Sequence, residues 1–196
     1  MAGQDWLVTK EGECQPLESL GHYQITNKYY RLYHFINDLE NILEDSQSER
    51  LSLQKICPLV RRLLMSSHWL QTTVRKPEPN TGWSLLKLYD EPFFPFTIQT
   101  AVWTPGPISP IHNHATWGVV AIIGGLEKNI FWKQSKNIII KNAVEKIGER
   151  ILEPGDVVAF ETGAIHCIET VSQQPTITFN LYGQTQGEVI YFNPVS

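Results

Sequence analysis

Apolar residues recur every three to four positions from about residue 27 to residue 70. From about residue 83 onward they alternate or come in short runs. Tyr29, Leu32, Phe35, Ile36, Leu39, Ile42 and Leu43 form one stripe of helical period, and Thr26 or Asn27 can cap its start. Leu51, Ile56, Leu59, Val60, Leu63 and Leu64 form a second stripe. Pro58 falls inside it and has no amide proton, which predicts a break with Pro58 opening a new turn. Residues 75–82 (RKPEPNTG) read as a turn-rich connector. Strands are expected at 84–88, 96–103, 117–123, 127–133, 137–144, 157–161, 165–170, 176–182 and 189–192. Turn signals separate them: Pro105–Gly106–Pro107, Gly124–Gly125, Pro154–Gly155–Asp156 and Thr162–Gly163–Ala164.

Many short strands at this spacing predict a mainly β sandwich or barrel. About fifty helical residues are marginal as a separate domain, so the helices are expected to pack on one face of the β structure. The chain thus divides into an N-terminal helical segment, 1–82, and a β barrel, 83–196, in one structural domain. Its 196 residues suit that size. A hydrophobic fraction of 42% excludes a disordered chain. The net charge of −4 and the lack of any Lys/Arg block argue against nucleic-acid binding. Apolar runs such as 119–123 are too short to span a bilayer. The first twenty residues lack a basic region followed by an apolar stretch, so no secretory signal is expected. Cys14, Cys57 and Cys167 are odd in number and have no metal-like spacing. They predict free thiols in a reducing cytoplasm, with Cys167 buried on the face opposite His166.

Six histidines bring in chemistry. His112 and His114 form an H-x-H pair, which on a strand would point both imidazoles one way. Imidazole suits iron, nickel, copper and zinc, although such a pair also arises by accident or for packing. His166 closes another turn-bounded strand, and His22, His34 and His68 receive no role.

Gly106, five residues, His112-x-His114, then Gly118 and Gly125 resembles the first motif of the cupin superfamily. Gly155–Asp156 and the Gly-Ala-Ile-His run ending at His166 resembles the second. The resemblance covers about residues 104–170. It implies a cupin double-stranded β-helix barrel with one metal in its mouth, held by His112, His114 and His166. Many cupins add a glutamate shortly after H-x-H; here that place holds Gly118, and Glu127 lies beyond the Gly-Gly turn. Three neutral imidazoles leave a divalent ion at +2, which suits an anionic ligand such as a thiolate.

Arg61–Leu64 and Trp69–Leu70, then Val102–Gly106, the P-I-H-N-H-x-x-W-G run and the late Asn180–Gly183 resemble the cysteine dioxygenase family over about residues 55–185. The bacterial members, which include 3-mercaptopropionate dioxygenases, are the most similar. The resemblance implies Fe(II), with nickel or zinc possible as purified, and O2 as co-substrate. Tyr182 matches the family's outer-sphere tyrosine. Gly118 stands where the animal enzymes carry the cysteine that crosslinks to it. The family's Ser-His-Tyr relay reads Thr178, Asn180 and Tyr182, and Asn180 cannot titrate. The arginine that holds a substrate carboxylate has no match: the earlier place near 85–87 offers Lys87 alone, and the later place near Tyr191 has no arginine. Trp117 is a further candidate for the pocket wall, and Trp103, Phe131, Trp132, Phe160 and Phe179 are candidates for the barrel lining. The expected function is a cytoplasmic Fe(II) dioxygenase oxidising a small thiol to a sulfinate. The alternatives are a three-His dioxygenase that cleaves a carbon–carbon bond, and a non-catalytic metal- or small-molecule-binding cupin.

Overall fold

The computed structural model describes residues 3–20, 29–45, 47–92, 94–136, 140–184 and 188–195. Two strands, β1 (Asp5–Val8) and β2 (Cys14–Pro16), precede three helices, α1 (Leu32–Glu44), α2 (Glu49–Ser66) and the short α3 (Trp69–Thr72). Then follow β3 (Trp83–Tyr89), β4 (Phe96–Trp103), β5 (Gly118–Gly124), β6 (Glu127–Gln134) and β7 (Ala143–Leu152). The chain ends with β8 (Val157–Phe160), β9 (Ile165–Thr170), β10 (Thr176–Gly183) and β11 (Asn193–Pro194). A seven-stranded sheet runs β2-β1-β8-β5-β10-β4-β3 and a four-stranded sheet runs β11-β7-β6-β9. The two curled sheets make a mainly β barrel, with the helices on the outer face of the larger sheet.

The apolar runs of β5 and β8 follow from this layering. Val119, Ala121, Val157 and Ala159 pack outward against Phe35, Leu39, Ile56 and Leu63 of the helices. Val120, Ile122, Val158 and Phe160 point into the barrel, where they meet Phe131 and Leu152 of the other sheet. A strand covered on both faces has no reason to alternate polar and apolar residues. Full burial of a side chain such as Phe35 or Leu63 stabilises by roughly 1.5–3 kcal/mol, so the helices are bound to the barrel by many such terms.

Four expectations are corrected. Helix α2 runs straight through Pro58. The carbonyl that Pro58 leaves without an intrahelical donor is that of Gln54, and the Leu20 amide donates to it at 3.0 Å. Helix α1 begins at Leu32 with Arg31 as its cap; Thr26 and Asn27 lie outside the described residues. Of the strand expected at 137–144, residues 137–139 lie outside the described residues and 140–142 are turn; β7 begins at Ala143 and runs on to Leu152, and it is half solvent-exposed and rich in charge, so its pattern is weak. Residues 189–192 do not form a strand; Tyr191 makes an isolated bridge to His112, and β11 follows it. Strands β1 and β2 were not foreseen in the helical N-terminal segment. Cys14, Cys57 and Cys167 are free thiols, as expected. Among the described residues no helix is long and apolar enough to cross a membrane.

Strand β1 lies parallel to β8, and Arg61 of α2 holds it there. The Arg61 Nε donates to Asp5 Oδ1 at 2.7 Å, and Nη1 donates to the Gly155 carbonyl. Asp5 is buried and also accepts from Ser19. Arg61→Ala leaves that carboxylate without its cation. The expected cost is about 3 kcal/mol, read as a lower urea midpoint with an unchanged m-value.

Candidate metal centre

His112 and His166 meet through a backbone bridge. The His112 amide donates to the His166 carbonyl at 2.9 Å, and the His166 amide donates back at 3.0 Å. His166 lies on β9, whereas His112 lies on an isolated bridge and His114 outside any strand. The expectation that an H-x-H pair shares a strand face is therefore corrected. The bridge and a turn at Ala115, with φ of 54°, bring the two rings together instead. The candidate ligand atoms of His112, His114 and His166 all lie within 4.8 Å of one another.

Partners fix which nitrogen each ring offers. The His112 Nδ1–H donates to the Pro110 carbonyl at 2.8 Å. The His166 Nδ1–H donates to Asn129 Oδ1 at 2.9 Å, and Asn129 Nδ2 donates to Glu127 Oε1 at 2.8 Å. Both rings thus present Nε2 to the shared space. The His114 and His166 Nε2 atoms are 3.0 Å apart. Two imidazole nitrogens bound at a right angle to one ion at about 2.1 Å stand about 3 Å apart, so the His114–His166 pair has the spacing, and the three imidazoles the chemistry, for a divalent first-row metal. Burial lowers the pKa of all three histidines, that of His114 to about 3, with neighbouring imidazoles adding to the effect on His114 and His166. They are held in the neutral, ligating form. Glu127 is fully buried, and burial raises its pKa to about 7 against the opposing effect of the Asn129 hydrogen bond.

The three rings open on a cavity of about 480 Å³. The β10 register sets Asn180 opposite Val120 and Tyr182 opposite Gly118, and Thr178, Asn180 and Tyr182 all line the cavity. Asn180 Nδ2 donates to Thr178 Oγ1 at 3.1 Å. The Tyr182 ring stacks on His114 with centroids 4.4 Å apart and planes 28° apart. Burial, then the Glu127 charge, pushes the Tyr182 phenol upward, so it stays protonated. A Cβ at Gly118 would lie 2.8 Å from Tyr182 Cδ1, so the glycine is what lets the ring sit there.

Three pocket candidates, Trp117, Gly118 and Lys87, do not line the cavity, and Gly118 acts there only by making room for the Tyr182 ring. Trp117 lies outside the cavity and packs on the apolar cluster beneath the helices, close against Gly183. Lys87 is exposed on β3 and ion-paired with Asp90. Trp103 and Phe160 line the cavity, while Phe131, Trp132 and Phe179 pack in the apolar clusters. His34 accepts from the Arg31 amide at the start of α1, His68 precedes α3, and His22 lies outside the described residues. Asn129, Trp83 and Gln99 are site residues to which the sequence assigned no role, and Glu127, set aside there as lying beyond the Gly-Gly turn, lines the cavity. A signal for two of them was present. Glu127 and Asn129 alternate with Phe131 on the buried face of β6, where a polar residue needs a reason.

No family model matches the chain. Similar solved structures include an oxalate oxidase in complex with the substrate analogue glycolate. The two are 12% identical with a TM-score of 0.44, over 60% of this chain and 58% of that one. The oxalate decarboxylase of Lactobacillus farciminis, in a formate complex, is 15% identical with a TM-score of 0.46, over 59% of this chain and 33% of that one. A cupin superfamily protein from Desulfitobacterium hafniense is 16% identical with a TM-score of 0.43, over 58% and 86%. The chain therefore spans under two thirds of the oxalate oxidase. The architecture and site chemistry rest on this chain's own strands and side chains.

Two outcomes are expected. Asn129→Ala releases His166 Nδ1 and lowers metal affinity by roughly 10–100-fold, measured by competition with a chromogenic chelator. The metal-free protein loses stability as pH falls below 6.5. There the unfolded chain takes up protons that the buried imidazoles refuse, at up to about 1.4 kcal/mol per pH unit for each histidine. Denaturation midpoints between pH 7.5 and 5 read this slope. A His114→Gln variant should show a shallower one.

Proposed function

We propose that this protein is a metal-dependent oxygenase that uses O2 to convert a small-molecule thiol to a sulfinate, with Fe(II) held by His112, His114 and His166. The observation that carries the reading is the donor set: three imidazoles, no carboxylate among them, and a protonated phenol stacked on one. Neutral ligands leave a divalent ion its full charge, which favours a thiolate partner. The reaction balances as RSH + O2 → RSO2⁻ + H⁺. Two S–O bonds form, the O–O bond breaks, sulfur loses four electrons and O2 accepts them. Fe(II), when bound, supplies open coordination positions and the redox chemistry that O2 reduction requires.

The chain's own groups do the rest. Asn129 and Pro110 orient two of the imidazoles. Tyr182 keeps its proton and can donate a hydrogen bond to oxygen near the ring it stacks on. Thr178 and Asn180 satisfy one another and hold no charge. Glu127 is the carboxyl among the described wall residues, with a pKa raised by burial to about 7, and can accept the thiol proton. Apolar residues such as Phe160, Val120 and Ile168 limit water. The contact between Gly118 and Tyr182 supports the match of this pair to the crosslink positions of the cysteine dioxygenase family.

The test is O2 uptake by Fe(II)-loaded protein with a panel of thiols, with products weighed by mass spectrometry. A gain of two oxygen atoms on the thiol is expected. A chain-cleaved acid from a non-thiol substrate would instead assign carbon–carbon cleavage, and ligand binding without O2 uptake a non-catalytic cupin. Tyr182→Phe should lower kcat on the order of a hundredfold with little change in KM.

A further inference from the structure

The walls of the cavity bear on the part of the substrate that does not react. A volume of about 480 Å³ falls in the range of pockets that enclose ligands much larger than a three-carbon thiol. No lysine or arginine among the described residues lines it, and Lys87 on the neighbouring rim is paired with Asp90. A substrate carboxylate placed away from the metal would lose its hydration with no cation to replace it.

The wall has a direction. Strand β10 pairs with β4 so that Trp103 stands opposite Thr176, while Tyr182 stands opposite Thr97. Six residues of strand, about 20 Å of backbone, separate those two ends. Trp83 pairs with Trp103 across β3 and β4, and their rings stack with centroids 5.6 Å apart and planes 26° apart. The phenol and the histidines therefore mark one end of the wall and an indole pair the other. Trp83 and Leu85 are each 37% exposed and Tyr191 is 62% exposed, although all three line the cavity. Partly wet apolar side chains around a cavity mouth are a surface that an apolar ligand would cover.

We infer that the site takes an elongated thiol whose far end is an uncharged planar group, bound against the Trp83–Trp103 pair. The inference rests on the thiol reading of the metal site. Glu127 does not make the cavity a cation site, because its carboxylate is buried and bonded to Asn129, and the ion held by the histidines would repel a second positive charge.

Two measurements test it. The first needs no turnover. Intrinsic tryptophan fluorescence of the zinc-loaded protein is titrated with 4-phenylbutan-1-ol, a probe without sulfur. Saturable quenching is expected, and Trp103→Ala should weaken it about tenfold at unchanged metal content and circular dichroism. Trp83→Ala, at an exposed position, gives the same reading should Trp103→Ala fold poorly. Absence of saturable binding, or binding indifferent to both substitutions, overturns the inference. The second compares kcat/KM of the Fe(II) protein for 4-phenylbutane-1-thiol, cysteine, 3-mercaptopropionate and cysteamine. The phenyl thiol should lead by about tenfold or more, and the lead should collapse in the Trp103→Ala variant. A lead for cysteine, 3-mercaptopropionate or cysteamine overturns the aromatic inference while upholding thiol oxidation. Saturable, tryptophan-dependent binding of the alcohol with no thiol oxidised upholds the aromatic site and overturns the thiol reading.

Discussion

The amide of His112 donates to the carbonyl of His166, and the amide of His166 donates back. These two hydrogen bonds join a stretch between β4 and β5 to strand β9 of the opposite sheet. They close the barrel at that point and set the spacing of two imidazoles with main-chain rather than side-chain precision. The same stretch bonds outward again, since the Asn113 amide donates to the Ile190 carbonyl and the Phe192 amide to the Ile111 carbonyl. A non-regular segment thus satisfies its backbone on both sides, which an ion site on a loop needs if its ligands are to stay in place.

The interior of the barrel is mostly apolar, and part of its polar content is connected. Glu127, Asn129 and His166 form a chain in which Asn129 accepts from a ring N–H and donates to a carboxylate oxygen. A buried polar group without partners is costly, whereas this chain leaves the His166 Nε2 as its open end. Such an arrangement has little purpose in a barrel that only packs. It is what a ligand histidine requires: one tautomer, one orientation and raised basicity. The helices matter to this at a distance. They cover β5 and β8 on the outside, so those strands can stay apolar on both faces beneath the site.

Much of this was legible in the sequence. Strands β4 and β9 fall at their expected residues, because turn-bounded runs of β-branched and aromatic residues carry a strong local signal. The three histidines are legible by motif, although strand alternation is not what aligns the H-x-H pair. Local pattern cannot report a bridge between residues 54 apart. Pro58 misled for a related reason: the donor that accommodates it, Leu20, comes from outside the helix. Strand β1 was hidden because four residues give no period and its partner, β8, is 152 positions away. Trp117 is a candidate for standing next to Gly118, and Lys87 for being the only cation near the family's earlier arginine place. Strand alternation and an edge position turned them elsewhere.

Charge explains why the site's partners are hard to read from composition. The chain has 16 basic residues, yet none lines the described cavity. A cation there would sit beside the ion that the histidines are built to hold and would raise the free energy of both. Placing arginine and lysine outside leaves a bound metal as the main positive centre, so an anionic ligand group has one place to go. The rest of the described wall offers aromatic faces, aliphatic side chains, amides, hydroxyls and a buried carboxyl. Binding energy for the rest of a ligand must then come from area and stacking, and that selects for size and planarity rather than for charge.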